Sequence, residues 1–387
     1  MQIKPMIRNN ICLNANPQGC AANVLEQIEY AKNNLKASDN TPKLALIVGC
    51  SGGYGLASRI CAAFGYGSAT VGISFENEPT EKRTGTPGFY NNETFDQEAS
   101  KAGIVSISVN GDAFSDEIKL KAAEAIRQAA KNAGILAKIG LFIYSLASPV
   151  RTDPKTGTLY KSVIKPVGAP FSGKTINMMD GTFSTAEAEP ATDDEISGTI
   201  KVMGGEDLEL WMDMLDREGL LCQQAKAAAY TYIGPEISWA IYKNGTIGKA
   251  KEDLERACRE INKKYTAQNK IAGIWVSVNK ALVTRSSAVI PVIPFYVSCL
   301  FKVMKDMGLH EGCIEQITRL CRDRLYLAAG VPADSEDRIR LDDWEMRDDV
   351  QKAVTELMNN VTPENVFIKT DITGFKNDFL KAHGFTG

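Results

Sequence analysis

The sequence predicts an α/β fold built on a doubly wound parallel sheet, and three observations support this prediction. Short apolar runs of strand length alternate with stretches of helical spacing along most of the chain, as in folds that cover a parallel sheet with helices. The first clear apolar run ends in a glycine-rich turn that leads into a helix, which is typical of such sheets. The 387 residues are 44% hydrophobic and 24% charged, which excludes a disordered or low-complexity chain.

The predicted strands are short runs of apolar or alternating residues, bounded by glycine or polar residues. In chain order they are 43–48, 70–75, 104–109, 139–144, 225–232 and 271–278. The predicted helices have apolar residues three or four positions apart. They are 21–35, 56–64, 115–133, 205–220, 249–264 and a proline-kinked helical region over 286–326.

Two stretches interrupt this alternation. Residues 76–92 are polar and rich in glycine and proline, and residues 148–200 contain several prolines and glycines. We expect a loop over the first and a long irregular insertion over the second, and a loop that long usually serves a function. Because no linker is evident, we expect a single domain over 1–387, with the sheet core at about 40–285 and a helical segment over 286–387.

Charge and hydropathy exclude several functional classes. The net charge of −3 and the pI near 5.7 give no electrostatic footprint for nucleic acid or an anionic membrane. The apolar run over 288–300 is too short to span a bilayer and contains two prolines. The polar N-terminus does not have the pattern of a signal peptide. A cytoplasmic protein is therefore expected.

The cysteines and histidines argue against a metal site. The nine cysteines form no CxxC pair, and only two histidines are present. Such a set lacks the closely spaced ligands of a structural zinc site, so we expect no metal and reduced, mostly buried thiols. The scarcity of histidine directs the search for catalytic groups to tyrosine, lysine and carboxylates.

A GxxxGxG pattern follows the first predicted strand, with its glycines at Gly49, Gly53 and Gly55. Glycines allow a tight turn and let backbone N–H groups approach a pyrophosphate at the positive end of the next helix. A dinucleotide site is therefore predicted here. The alternative is a glycine-rich connection that binds nothing.

Residues after three other strands fall at the same edge of the predicted sheet. Glu76 could accept hydrogen bonds from ribose hydroxyls and repel a 2′-phosphate, which would favour NAD(H) over NADP(H), or it could be a surface acid. Asp112 could meet the adenine edge or cap a helix. Ser145 and Leu146 would lie beneath the ribose of the cofactor by strand order.

Tyr242 and the two lysines that follow it, Lys249 and Lys251, are the candidates for acid–base chemistry. A tyrosine can stabilise charge on a substrate oxygen, and a nearby ammonium would lower the pKa of that tyrosine. On one continuous helix Lys249 would share a face with Tyr242 and Lys251 would lie opposite. Gly245 and Gly248 interrupt such a helix, so spacing leaves both lysines open. These residues could also serve only packing and solvation.

The same segment resembles the trans-2-enoyl-CoA reductases and the FabV-type enoyl-acyl-carrier-protein reductases, a family within the short-chain dehydrogenase/reductase group. The matching segments are 11–14, 19–20, 49–57, 111–118, 144–149, 202–207, 245–248, 276–284, 301–305 and 310–316. The resemblance implies a Rossmann fold with added helical substrate-binding elements. It also implies NADH-dependent reduction of the trans-2 double bond of enoyl thioesters in fatty acid biosynthesis. The chain ends at Gly387, whereas such proteins usually continue for a short tail.

The resemblance also implies the site residues. The Tyr-x8-Lys motif of the family falls on Tyr242 and Lys251 as the catalytic pair, whereas the Tyr-x6-Lys spacing of related enoyl reductases would choose Lys249. Tyr232 and Tyr242 are implied to contact the substrate. The implied cofactor contacts are Gly49, Cys50, Ser51, Gly52, Gly53, Tyr54, Phe75, Glu76, Asp112, Ala113, Ser145, Leu146, Lys251, Leu282, Val283 and Thr284.

In the implied reaction, hydride reaches C3 while Tyr242 donates to the thioester carbonyl and Lys251 holds the ribose and biases Tyr242. The implied cofactor is NAD(H), without flavin or metal. The implied substrate is an acyl-CoA or acyl carrier protein thioester, and the implied assembly is a monomer or homodimer.

Other interpretations stay open at this point. The same fold could reduce a ketone, or it could bind NAD(H) without catalysis. The apolar stretch over 288–297 is a candidate wall for an acyl chain, or an ordinary buried helix. We expect His310 to serve the structure rather than the chemistry.

Overall fold

The structure is a computed structural model that describes residues 3–8, 11–285 and 293–386. The strands in these ranges are β1 (Ile7–Arg8), β2 (Ile11–Cys12), β3 (Leu44–Val48), β4 (Ala69–Ser74), β5 (Ser106–Asn110), β6 (Ile139–Tyr144), β7 (Val150–Thr152), β8 (Leu159–Lys161), β9 (Phe171–Ile176), β10 (Phe183–Ala188), β11 (Leu221–Thr231), β12 (Gly273–Val278) and β13 (Arg338–Arg340).

The α-helices in the same ranges are α1 (Pro17–Asn34), α2 (Gly53–Ile60), α3 (Pro87–Lys101), α4 (Asp116–Ala133), α5 (Asp193–Met203), α6 (Glu206–Arg217), α7 (Glu236–Trp239), α8 (Thr246–Thr266), α9 (Ile293–Asp306), α10 (Cys313–Leu320), α11 (Asp348–Asn360), α12 (Val366–Lys369) and α13 (Ile372–Lys381). Five-residue π-helical turns, Cys61–Gly65 and Cys321–Leu325, extend α2 and α10.

Seven strands form a parallel sheet in the order β13-β12-β11-β6-β3-β4-β5. From β3 the chain adds β4 and β5 on one side, then returns to β6 and builds the other side. The direction of winding reverses between β3 and β6, and open α/β sheets bind ligands outside the carboxyl ends of their strands at such a reversal. The predicted doubly wound parallel sheet is confirmed, and the glycine-rich turn follows β3 at this reversal.

The central strand β3 shows how the sheet divides the core. Leu44, Leu46 and Val48 pack into a cluster with α4, α6 and α8 on one face, whereas Ala45 and Ile47 pack against α1, α2 and α10 on the other. All five side chains are fully buried. A strand covered on both faces is apolar throughout, which is why this strand was evident from the sequence.

A third apolar cluster lies beyond the carboxyl edge of the sheet. In it α9 packs against α11 and α13 through residues such as Phe301, Val350 and Phe375. Tyr232 and Tyr242 pack against the same cluster while partly buried. The C-terminal helices therefore support the side of the sheet edge on which the candidate catalytic tyrosine lies.

The structure corrects the expectation of an irregular insertion over 148–200. This stretch contains two antiparallel hairpins, β7–β8 and β9–β10, and then α5. The strands of the hairpins are short and largely exposed, so they lack the apolar periodicity by which a strand is recognised. Within the predicted loop over 76–92, α3 begins at Pro87, where the fixed φ of proline suits a first helical turn.

The segment over 286–387, expected to be helical, contributes an additional strand. β13 pairs with β12 at the sheet edge, so the sheet extends beyond the expected core boundary near 285. Three residues are too few to give a periodic signal. The described part of 286–326 forms two helices, α9 and α10, rather than one kinked helix. The single-domain organisation stays a prediction.

None of the helices in the described ranges combines the length and apolarity needed to cross a lipid bilayer.

Candidate functional site

A cavity of about 1710 Å³ opens along the carboxyl edge of the sheet. Segments that follow β3, β4, β5, β6, β11 and β12 line it, together with the start of α8. The predicted site residues on its wall are Gly49, Ser51, Gly52, Gly53, Tyr54, Phe75, Glu76, Asp112, Ala113, Ser145, Leu146, Tyr232, Tyr242, Lys251, Leu282, Val283 and Thr284. The fold therefore brings together residues that are more than two hundred positions apart in the sequence.

The glycine-rich turn is packed so closely that two of its glycines have no room for a side chain. Gly49 has a φ of +87°, and a Cβ there would lie 2.1 Å from the carbonyl oxygen of Ser145. A Cβ on Gly55 would lie 1.9 Å from the carbonyl oxygen of Gly49. By contrast, nothing lies within 4 Å of a Cβ on Gly52. The turn thus packs tightly against the end of β6 at Gly49 and is open at Gly52.

The open side of the turn fits an anion. Gly52 is the N-cap of α2 and has no side chain with which to cap the first helical turn. The first N–H groups of a helix have no partners within it, and they carry the positive end of the helix dipole. A pyrophosphate would satisfy both, so the residues present fit a dinucleotide.

Cys50 is the one predicted cofactor contact that does not line the cavity. Its side chain is fully buried beneath the turn, with Sγ 3.7 Å from Oδ1 of Asn92. The backbone N–H groups of Gly49 and Cys50 both donate to the carbonyl oxygen of Ile73 in β4, at 2.8 and 3.1 Å. These two N–H groups hold the turn to the sheet and cannot bind a phosphate.

Glu76 lines the cavity just after the carboxyl end of β4. Its Oε1 accepts a hydrogen bond from Oγ of Ser51 at 2.6 Å and lies 3.3 Å from Nη1 of Arg285. The side chain of Asn110 bonds both the N–H and the carbonyl of Glu76, at 2.8 and 2.9 Å. The neighbouring Phe75 ring is 75% exposed, which leaves an apolar face free to stack on a base.

Asp112 shapes the next turn instead of capping the helix that follows. Its Oδ1 accepts the N–H of Phe114 at 3.0 Å. The N-cap of α4 is Ser115, whose hydroxyl accepts the N–H of Ile118 at 3.2 Å. The helix-capping interpretation of Asp112 is therefore wrong, and Asp112 and Ala113 both face the cavity.

Tyr242 lies in the turn between α7 and α8, and not on the helix that carries the two lysines. Its carbonyl oxygen accepts the N–H groups of Gly245 and Gly248, at 3.1 and 3.0 Å. A Cβ on Gly248 would lie 1.7 Å from the carbonyl oxygen of Lys243. The glycines thus allow the chain to fold back on itself. Helical spacing counted from Tyr242 consequently has no meaning here.

The structure separates the two lysines that the spacing left open. Nζ of Lys251 lines the cavity and donates to the carbonyl oxygen of Tyr230 at 3.1 Å. Nζ of Lys249 forms a surface ion pair with Glu252 at 2.9 Å, and its side chain is 40% exposed. The geometry favours Lys251 as the cofactor-binding lysine.

The protonation states of the pair differ from the expectation. Burial raises the pKa of Tyr242 to about 12, and burial lowers the pKa of Lys251 to about 8. The expected lowering of the Tyr242 pKa by the Lys251 ammonium is therefore not found. At neutral pH Tyr242 keeps its proton, which makes it a hydrogen-bond donor toward the cavity.

Tyr232 stands beside Tyr242, with ring centroids 5.1 Å apart at an interplanar angle of 77°. Its hydroxyl donates to Oε1 of Glu345 at 3.0 Å. The sequence interpretation missed Glu345 because it lies in a charged stretch with no recognisable motif. It also missed Arg285, which no pattern linked to Glu76.

The remaining expectations concern the apolar wall and His310. Of the stretch 288–297, residues 288–292 lie outside the described residues, and Ile293 faces the cavity. His310 lines the cavity edge-on to Phe301, with ring centroids 4.5 Å apart. Burial, followed by the charges of Lys280 and Lys305, lowers the pKa of His310 to about 3. His310 is therefore neutral. Over the described ranges, no group of three or more His, Cys, Asp or Glu side chains could hold a metal ion.

Family models match nearly the whole chain in three consecutive parts. Residues 2–81 match the NAD(P)H binding domain of trans-2-enoyl-CoA reductase, residues 83–326 match the trans-2-enoyl-CoA reductase catalytic region, and residues 333–387 match the enoyl reductase FAD binding domain.

Two similar proteins have sequence matches over the full length of the chain. The trans-2-enoyl-CoA reductase [NADH] of Treponema denticola is 55% identical over 100% of this chain and 96% of its own. The enoyl-[acyl-carrier-protein] reductase [NADH] of Cytophaga hutchinsonii is 50% identical over 100% of this chain and 95% of its own.

Two crystal structures have the same fold throughout. The Treponema denticola trans-2-enoyl-CoA reductase in complex with NAD has a TM-score of 0.94 at 55% identity, and covers 100% of this chain and 95% of that one. The Clostridium acetobutulicum trans-2-enoyl-CoA reductase in complex with NADH has a TM-score of 0.94 at 41% identity, with the same coverage. The family predicted from the sequence is confirmed: the chain belongs to the trans-2-enoyl-CoA reductase family.

Proposed function

We propose that this protein reduces the trans-2 double bond of enoyl thioesters with NADH, as a step of fatty acid biosynthesis. One observation carries the proposal: a single cavity joins a glycine-rich turn suited to a pyrophosphate, a half-buried lysine and a protonated tyrosine. The names of the two full-length relatives, one a CoA and one an acyl-carrier-protein reductase, support the shared substrate class. The carrier can be tested by comparing crotonyl-CoA with the crotonyl thioester of acyl carrier protein.

The glycine-rich turn, Lys251 and Tyr242 each have a separate role in the proposed mechanism. Gly52 and Gly53 leave the start of α2 free to bind the pyrophosphate, and Lys251 would donate to the ribose hydroxyls. The chemistry supplied by bound NADH is hydride transfer to C3 of the enoyl group. Tyr242 donates a hydrogen bond to the thioester carbonyl oxygen and stabilises the enolate charge that develops there. One such oriented donor typically contributes about 3 kcal/mol to the transition state. The enolate then takes a proton at C2 from solvent water, which gives the saturated thioester.

The proposed activity is tested by following NADH oxidation with crotonyl-CoA and, separately, with acetoacetyl-CoA. Crotonyl-CoA is expected to be converted to butyryl-CoA, and acetoacetyl-CoA to be inert. Oxidation with acetoacetyl-CoA alone would identify a ketoreductase. No reaction with either substrate would identify a protein that binds NAD(H) without catalysis.

The preference for NADH is expected to depend on Glu76. In Glu76→Ala, the carboxylate that would repel a 2′-phosphate is lost, and Arg285, its ion-pair partner, is free to bind that phosphate. We expect the ratio of kcat/KM for NADPH to that for NADH to rise about tenfold, in line with one charged hydrogen bond. The exposed Glu81, converted to alanine, is the matched control. An unchanged ratio in Glu76→Ala would remove the proposed role of this carboxylate.

We also propose that the protein uses no flavin, although residues 333–387 match a model named for FAD binding. In the described part of this segment the two longer helices begin with carboxylates, Asp348 and Asp349 in α11 and Asp371 at the N-cap of α13. A Cβ on Gly374 would lie 2.2 Å from the Asp371 carboxylate, so this turn has no open side for an anion. Acids at a helix start repel a pyrophosphate.

The purified protein is therefore expected to lack the visible flavin spectrum and to turn over at the same rate with and without added FAD. Extraction of flavin in proportion to protein, with activity that is lost on its removal, would contradict this expectation. Turnover with NADH alone serves as the reference rate.

We propose a cytoplasmic location and a monomer or homodimer that does not bind nucleic acid. All nine cysteines are free thiols, as is usual in reducing compartments, and the net charge of −3 supports the absence of a nucleic-acid surface.

A further inference from the structure

We infer that Glu345 is a positioning residue of the substrate pocket, which holds the hydroxyl proton of Tyr232 and leaves Tyr242 as the phenol that donates to the substrate. This inference rests on the proposed function and adds a residue that no sequence motif marks. Glu345 lies between β13 and α11 and is fully buried.

The two carboxylate oxygens of Glu345 face three hydrogen-bond donors. Oε1 accepts from the hydroxyls of Tyr232 and Tyr296, at 3.0 and 2.7 Å. Oε2 accepts from the backbone N–H of Ala281 at 2.7 Å. Gln351 donates from Nε2 to the Tyr296 oxygen at 3.1 Å and to the Glu345 carbonyl at 2.7 Å, and the Tyr296 hydroxyl in turn donates to Glu345.

This set of partners suits a charged carboxylate. An ionised Glu345 accepts from all three donors, whereas a protonated Glu345 would have to donate to one of the two tyrosine oxygens and reverse that hydrogen bond. Burial raises the pKa of Glu345 above its ordinary value and outweighs the lowering by the Ala281 N–H, the positive charge of Lys280 and the two tyrosine hydroxyls. An ionised carboxylate that accepts several hydrogen bonds is the form these contacts stabilise.

Tyr232 and Tyr242 each have one hydroxyl proton, and the partner of that proton decides which tyrosine can donate to the substrate. A phenol has a single hydroxyl proton with which to donate a hydrogen bond, and Tyr232 uses that proton in its hydrogen bond to Glu345. The Tyr232 oxygen can therefore only accept a further hydrogen bond. Tyr242, whose ring is in contact with that of Tyr232, has a hydroxyl without a hydrogen-bond partner anywhere in the described ranges. Its proton is free for the thioester oxygen.

Glu345 also fixes the wall of the cavity at a second point. Ala281, whose N–H it accepts, stands directly before Leu282, Val283 and Thr284, which line the cavity on the cofactor side. The Glu345 carboxylate thus fixes the position of the Tyr232 ring and also the path of the backbone after β12. In this account the C-terminal segment supports the pocket rather than binding a cofactor.

The test is a set of variants assayed with crotonyl-CoA, with NADH affinity and melting temperature measured for each. In Glu345→Gln the amide oxygen must stay with the Ala281 N–H, because a backbone donor cannot turn, so the amide N–H₂ faces the tyrosines and releases the Tyr232 proton. We expect a loss of kcat/KM of about tenfold, as for one hydrogen bond to a charged group. NADH affinity should change less than about twofold. Glu356→Gln, at an exposed position of α11, is the control that loses the same charge.

A double-mutant cycle separates positioning from general damage. In the Tyr232→Phe background, Glu345→Gln should cause little further loss, whereas in the Tyr296→Phe background it should cause the full loss. Equal losses in all backgrounds, or no loss in Glu345→Gln itself, would overturn the inference.

Two further comparisons keep the test decisive. If Glu345→Gln does not fold, the test depends on Tyr232→Phe alone. The Tyr232→Phe enzyme should retain at least about tenfold more activity than Tyr242→Phe. Equal losses of activity in these two variants would overturn the inference. An active Tyr242→Phe enzyme would instead refute the proposed function. An inactive Tyr242→Phe enzyme with an additive cycle would refute only the role of Glu345.

Discussion

Replacing Tyr242 by phenylalanine is expected to lower kcat for crotonyl-CoA by about 10²–10³-fold, the usual cost of removing one donor from an oxyanion-stabilising site. The reason is that burial raises the pKa of Tyr242 to about 12, so the phenol is protonated at neutral pH, and its hydroxyl has no partner in the described ranges. The substitution removes one oxygen atom and leaves the ring contact with Tyr232 in place. Steady-state kinetics with crotonyl-CoA measure the effect.

The same variant is expected to bind NADH with unchanged affinity, because the residues suited to hold the cofactor are separate from the Tyr242 hydroxyl. Quenching of protein fluorescence by NADH measures this affinity. Tyr160→Phe, in β8 and outside the cavity lining, is the matched control. A near-normal kcat in Tyr242→Phe would exclude this tyrosine as the donor, whereas a loss confined to NADH affinity would reassign it to cofactor binding.

Replacing Lys251 by methionine is expected to weaken NADH binding by about 10–100-fold, since a hydrogen bond from a charged group is worth about 1.5–3 kcal/mol. Methionine keeps the length and the apolar part of the side chain, so α8 should pack as before. Lys249→Met is the control on the same helix. It removes a surface ion pair with Glu252, and such pairs contribute at most about 1 kcal/mol. A larger loss in Lys249→Met than in Lys251→Met would show that the shorter spacing selects the functional lysine.

Lys251 also predicts a pH dependence of NADH binding. Because burial lowers its pKa to about 8, the ammonium loses its proton as the pH rises through that value. NADH affinity should then decrease, since a neutral amine forms weaker hydrogen bonds than an ammonium. Burial lowers the pKa of Lys280 to about 8 as well, so the assignment requires the Lys251→Met variant. The decrease above about pH 8 should be absent from that variant, and its persistence would point to another group.

The sheet and the glycine turn could be predicted from sequence because their physical requirements act on neighbouring residues. β3 is buried on both faces and is therefore apolar at every position. The turn after it needs glycine at Gly49 and Gly55 because a Cβ there would collide with carbonyl oxygens. Both requirements leave a contiguous pattern, and the carboxyl-edge position of Glu76, Ser145 and Tyr232 follows from the strand order.

The parts that could not be predicted depend on contacts between distant residues. Glu345 meets Tyr232 across 113 positions and Arg285 meets Glu76 across 209, and neither pair leaves a local signal. The hairpins over 150–188 are short and exposed, so their alternation is weak. The lowered pKa expected for Tyr242 was wrong for a related reason, since it depended on where the side chain of Lys251 points. The chain directs Nζ of Lys251 to the Tyr230 carbonyl.

The most direct test of the central claim is a crystal structure of the protein with NAD and an acyl-CoA bound together. We expect Oη of Tyr242 to lie within about 3 Å of the thioester carbonyl oxygen, a normal hydrogen-bond distance. We also expect the pyrophosphate to rest on the start of α2 beside Gly52 and Gly53. A tyrosine hydroxyl far from the thioester, or a cofactor bound away from this turn, would contradict the account.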